Sequence, residues 1–173
     1  MHHDNTGNCH RNPFEHGTHD DHPEHAAPNG ALDALAMWFE LRVQERVGWR
    51  EGSRLFGLEV LDASALDRNA DSAARVTFLA EGDVYELLDG ECALVATRFD
   101  ALGLCCFGTA TNLRTGERFR SRTVLVATPF GQSTVNRLQG GAPEHVGVAR
   151  GPVADRVGAL FVESNGTEGG WGA

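Results

Sequence analysis

The sequence predicts an α+β domain: an antiparallel sheet of about five strands, with an N-terminal and a C-terminal helix on one face. Three observations predict it. Apolar residues recur at helical spacing near residues 31–47 and again near 152–162. Between these stretches lie short runs rich in Val, Leu, Phe and Thr, separated by turn segments rich in Gly, Asn and Pro. Apolar residues make up 41% of the chain and concentrate after residue 30, so that region can bury a core.

Residues 1–29 are rich in His, Asp, Asn, Gly and Pro. They have too few apolar residues to offset the entropy of ordering, which predicts a disordered His-rich tail. A single α+β domain then spans 30–163, and 164–173 is a flexible Gly-rich tail carrying Trp171. The first helix runs from Ala31 to Val47, capped by Asn29 or Gly30 and ended by Gly48. Leu32, Leu35, Phe39 and Val43 form its stripe, widened by Ala31, Ala34, Met37, Trp38 and Leu41. Strands are expected at Arg54–Leu61, Arg75–Ala80, Cys92–Phe99, Leu104–Thr111, Phe119–Thr128 and Gln132–Leu138. Asp62–Ala73 is a polar connection with room for one helical turn, and Val84–Leu88 is a short acidic turn or helix. The Asn112–Gly116 loop makes a hairpin, and Thr128-Pro129-Phe130-Gly131 makes a turn, so three strands form a meander. Gln139–Gly151 reads as a loop. Pro152 opens the last helix, whose Val153, Val157, Leu160 and Phe161 face inward.

Charge excludes some partners. The net charge is −9, with −4 on residues 1–30 and −5 on residues 31–173. Neither part is a general nucleic-acid or anionic-membrane binder, because phosphate contact needs a positive surface. There is no lysine, which excludes Schiff-base chemistry and a phosphate loop with its lysine. No stretch reaches the roughly 20 apolar residues of a membrane span, and the N-terminus is too polar for a secretory signal. The expected location is cytoplasmic, with Cys9, Cys92, Cys105 and Cys106 as reduced thiols. On a strand, the adjacent Cys105 and Cys106 point to opposite faces, which argues against a bridge.

The segment from Cys92 to Phe161 contains ALVATRF, RFRSRTVLVATPFGQSTVNRL and PVADRVGAL. In these stretches it resembles short uncharacterised proteins of high-GC actinobacteria. Those show an apolar strand, an Arg-rich segment entering a Val-rich strand, a turn, a strand ending in Arg-Leu, and a helix opened by Val-Ala-Asp. The resemblance covers under half of the chain. It implies an orphan domain and carries no activity or site residues.

Seven of the eight histidines lie in the first 25 residues. His10, His16, His19, His22 and His25 share a three-residue register, which a polyproline II helix would align on one face. Successive rings would stand about 9 Å apart along that axis, whereas zinc takes nitrogens at about 2.0–2.1 Å. Chelation therefore needs local turns, which Gly17 and Pro23 permit, and the expected behaviour is a loose, multivalent capture of Ni, Zn or Cu. With a free Met1 amine and two amide nitrogens, His3 completes a square-planar set suited to Cu(II) or Ni(II). Cys9 can add a thiolate. The plain alternative is a solubilising tail.

Arg118, Arg120 and Arg122 share one strand face and form a candidate anion site, since an arginine row can hold a carboxylate or phosphate. The plainer reading is a solvated strand face, paired with the acidic run from Glu81 to Glu91. His145, Ser133 and Asp155 lie in no nucleophile motif, so no triad is assembled from them. The reading is a non-enzymatic binding or regulatory protein whose tail captures a transition metal ion. The alternatives are a protein-interaction module with an unidentified protein partner, and a small enzyme whose site the sequence does not show.

Overall fold

The computed structural model describes residues 30–167. The metal ligands read from the tail, His3, Cys9, His10, His16, His19, His22 and His25, lie outside the described residues, as does Trp171. The chain folds as helix α1 (Gly30–Arg46), β1 (Ser53–Val60), β2 (Ala74–Gly82), α2 (Val84–Asp89), α3 (Glu91–Ala96), β3 (Ala101–Thr111), β4 (Arg118–Thr128), β5 (Gly131–Leu138), β6 (Pro143–Gly147) and α4 (Pro152–Thr167). It is an α+β protein. The six strands form one sheet in the order β2-β1-β3-β4-β5-β6, every neighbour antiparallel.

The two terminal helices cover opposite faces of this sheet, which corrects the expectation that they share one. Leu35, Phe39 and Val43 of α1 pack with Phe56, Leu58, Cys105, Val124, Val126 and Val135. Val157, Leu160 and Phe161 of α4 pack with Leu55, Leu102, Leu104, Leu125 and Ala127, alongside Leu88 and Ala93 of the short helices. The reason is in the central strands. They are apolar at successive residues, as in Val124-Leu125-Val126-Ala127, so both faces must be shielded from water.

Cys92–Phe99 is not a strand. Asp83 caps α2 by accepting from the backbone N–H groups of Tyr85 and Glu86. Gly90 breaks that helix with extended backbone, and α3 restarts at Glu91. Only Ala93 and Ala96 of α3 are buried, a helical spacing, while Leu94 and Val95 stay 40% exposed. The run Ala-Leu-Val-Ala is continuous in apolarity, and such short runs do not distinguish strand from helix.

The sixth strand lies within the expected loop Gln139–Gly151. Pro143 opens it at the sheet edge, where a missing N–H costs no ladder bond. Both edge strands carry a register shift: Leu79 is the extra residue against β1, and Val146 the extra residue against β5. Bulges of this kind blunt an edge against pairing with other chains. Two glycines allow close packing. A Cβ at Gly57 would stand 2.3 Å from the Phe99 ring, and one at Gly103 would stand 2.8 Å from the Phe39 ring.

Candidate functional site

The fold takes up Arg122 fully and Arg120 in part. Arg122 is fully buried and pairs with Glu40, itself fully buried at the centre of the α1 face. Its second nitrogen donates to the Gly48 carbonyl at 2.6 Å, and its guanidinium lies 5.0 Å from the Trp49 ring centre. Arg137 grips the same Glu40 with two bonds, Nε to Oε1 at 2.8 Å and Nη2 to Oε2 at 2.7 Å. Arg120 donates to the Trp49 carbonyl at 2.8 Å. Arg54 reaches the carbonyls of Arg50, Glu51 and Gly52. The loop after α1 thus has its carbonyls held by three arginines, which also favour the negative end of that helix. The partners are Glu40 and Glu51 for the row, in place of the acidic run expected to pair with it. Arg118 is exposed at the start of β4.

Burial pushes the Glu40 carboxyl up. The hydrogen bonds from Arg137 and Arg122, and then their charges, outweigh it and hold the group below the usual glutamate range. Glu40, Arg122 and Arg137 form a buried charge network with its acceptor shared, while Arg120 keeps an exposed face beside Glu51.

Ser133 and His145 do meet, with Asp33 of α1 as the third member. The Ser133 hydroxyl donates to Asp33 Oδ1 at 2.8 Å. His145 Nε2 stands 2.9 Å from both that oxygen and the Ser133 hydroxyl. The composition is that of a hydrolase triad, but the geometry is different. A general base must receive the serine proton on one ring nitrogen while the carboxylate holds the other. Here Nε2 faces both partners, and the serine proton goes to Asp33. Ser133 is also fully buried. The triangle ties the first turn of α1 to β5 and β6.

A wider opening lies on the other side of the sheet. Where α4 begins, it leaves a groove of about 880 Å³ over β3, β4 and β5, a volume typical of small-molecule sites. Leu104 and Leu125 form its floor, Val153 and Ala154 of α4 one wall, and residues 146–150 the other. A polar strip crosses the floor. Cys106, Thr123, Thr134 and Asn136 reach it because strand residues of one parity share a face. The Thr123 hydroxyl donates to Asn136 Oδ1 at 2.6 Å. This leaves the Asn136 amide NH₂ as the outward donor. Thr134 is 6% exposed, and its buried hydroxyl has no hydrogen-bond partner among the described residues. Burial raises the Cys106 thiol, so it stays protonated near neutrality.

Sequence reasoning missed this groove. The signal was present in Gln132, Thr134 and Asn136, which put polar side chains on the face opposite buried Ser133 and Val135. A strand sealed under a helix has apolar residues there. Among the described residues no cluster of three or more His, Cys, Asp or Glu is placed to hold a metal. No described helix is long and apolar enough to cross a membrane. No family model matches the chain, and no curated protein or solved structure does either.

Proposed function

We propose that this chain is a non-enzymatic binding protein whose groove over β3, β4 and β5 takes a small, largely apolar ligand. The observation that supports this is the groove itself: an apolar floor with a few convergent polar groups and one unsatisfied hydroxyl, Thr134. An unpaired buried hydroxyl costs about 1–3 kcal/mol, and a ligand or water that pairs with it recovers part of that cost. Among the described residues, Ser133 is buried and bonded to Asp33 and Cys106 is held as the thiol, so neither is an activated nucleophile for the catalytic alternative.

Titration of the full chain with decanol, followed by amide NMR, tests the reading. Shifts confined to residues around Leu104, Cys106, Thr123, Leu125, Asn136 and Val148 are expected. Saturable shifts on the α1 face, or none at all, would reject it.

The histidine register supports a second role, capture of Ni, Zn or Cu by residues 1–29. A peptide of residues 1–28 should bind nickel less well as pH falls through about 6.5, where protons compete for imidazole. Replacing His16, His19, His22 and His25 together should remove most of this binding. Unchanged binding would move the site to His3 or Cys9. The resemblance of residues 92–161 to short uncharacterised actinobacterial proteins suits an orphan binding domain.

A further inference from the structure

We infer that the groove ligand is a carboxylate-bearing amphiphile, its carboxylate held at the mouth by Arg150 and the start of α4 and its chain lying over Leu104 and Leu125. The inference rests on the groove reading above and adds the chemical class of the ligand. Three observations carry it. Arg150 lines the groove, is exposed, and makes no ion pair or side-chain hydrogen bond within the described residues. Several other exposed arginines are likewise without such a partner, but Arg150 is the arginine among the residues that line this groove. A guanidinium over an apolar floor selects an anion that carries hydrocarbon.

The start of α4 adds to this. Val153 and Ala154 line the same wall and are the second and third residues of a 16-residue helix. Their N–H groups precede the first intrahelical bond, which runs from the Asp155 N–H to the Gly151 carbonyl at 3.0 Å. Gly151 has no side chain to cap them, so an incoming carboxylate oxygen is the natural acceptor. Asp155 is the acid of that first turn and opposes an anion there, but it is exposed, so solvent and salt screen its charge.

The third observation is the shape of the polar strip. Thr123, Thr134 and Asn136 lie on the strands, away from Arg150 in the chain, and offer neutral donors and acceptors but no second cation. One guanidinium and two amides match the single charge and two oxygens of a carboxylate. A phosphate dianion would leave charge unpaired. Gly147 (φ +92°) and Gly151 (φ +100°) bracket residues 148–150, so the wall carrying Arg150 is bounded by two residues with left-handed backbone.

Calorimetric titration of the full chain with decanoate and with decanol, at low and high salt, tests the inference. The wild type should bind decanoate about 10-fold more tightly than decanol at low salt, the size expected of one charge-assisted contact, and salt should erode that preference. Arg150→Gln should abolish the preference and leave decanol affinity unchanged. Decyl phosphate should bind no better than decanoate. Equal affinity for decanoate and decanol, or a preference that survives Arg150→Gln, overturns the carboxylate assignment while leaving the groove reading intact. Tighter binding of decyl phosphate than of decanoate overturns it in favour of a phosphate. Failure of both decanoate and decanol, or binding unaffected by Asn136→Trp in a chain that circular dichroism shows folded, overturns the groove reading itself.

Discussion

At the level of single residues, the most consequential side chain is Glu40. It is a charge in the middle of a helix face that otherwise reads as apolar, and two arginines from β4 and β5 converge on it. Removing one member of such a cluster strands the others without water. Glu40→Ala should therefore lower unfolding stability by about 3–5 kcal/mol, measured by urea denaturation at neutral pH. A loss below about 1 kcal/mol, the scale of an exposed pair, would show that Arg122 finds another partner. The pH dependence has a definite sign. The folded carboxyl titrates below its ordinary value of 4.5, so its contribution is complete above that value and is lost as pH falls through the depressed folded value. The stability gap between wild type and Glu40→Gln should hold steady near neutrality and shrink under acid, where protonated glutamate resembles glutamine. A gap that grows as pH falls would contradict the network. None of this pairing was legible in the sequence. The alternation that placed Arg118, Arg120 and Arg122 on one strand face was correct, but it does not say whether a face meets solvent or a helix. Likewise Asp33, 100 residues from Ser133 in the chain, joins His145 only because α1 lies across β5.

At the level of elements, the periodic signals were reliable where a segment is long and has one buried face. The first helix, the hairpin from β3 to β4 and the turn into β5 all lie where alternation and turn residues put them. The misreading at residues 92–99 has a local cause. A six-residue helix shows less than two turns of periodicity, and its identity is fixed by its capping and by packing of Ala93 and Ala96. The edge strand β6 was hidden for a related reason: only Val146 and Val148 in that region are large and apolar, and both are more than half exposed. Packing between elements depends on glycine in two strands. Gly103→Ala would push a methyl group into the Phe39 ring, and Gly57→Ala would push one into Phe99. Overpacking of this kind typically costs about 1–3 kcal/mol, and because Phe39 is fully buried while Phe99 is only partly buried and can turn aside, Gly103→Ala predicts the larger loss. Thermal denaturation of the two variants checks the order. Equal stability to wild type would mean that the rings move aside freely, which a close-packed layer does not allow.

At the level of the whole molecule, the sheet is covered by α1 on one face and by three helices on the other, and the opening on the second face, about 880 Å³, is wider than the one of about 260 Å³ beside the start of α1. The difference follows from helix length and position. The 17-residue α1 packs across β4, β5 and β6, with Glu40 and its arginines sealing the centre. The opposite layer is assembled from two six-residue helices and α4, and the groove is what they leave bare. The polar residues of β5 signal an unsealed face, but the extent of the gap is set by where separate elements stop. The sequence does place the two proposed binding functions in separable parts of the chain, metal in residues 1–29 and the apolar ligand in the sheet. Deleting residues 1–28 should therefore leave the thermal midpoint and the decanol-induced shifts around Leu125 nearly unchanged, because that segment has little apolar surface to bury. The same deletion should remove nickel binding. The eighth histidine, His145, is left facing Asp33 and Ser133 and is placed to hold no metal by itself. Nickel titration and decanol titration of the full and shortened chains provide the measurement. A fall of many degrees in the midpoint, or loss of decanol binding on deletion, would show that residues 1–28 pack against the domain and that the two functions are coupled.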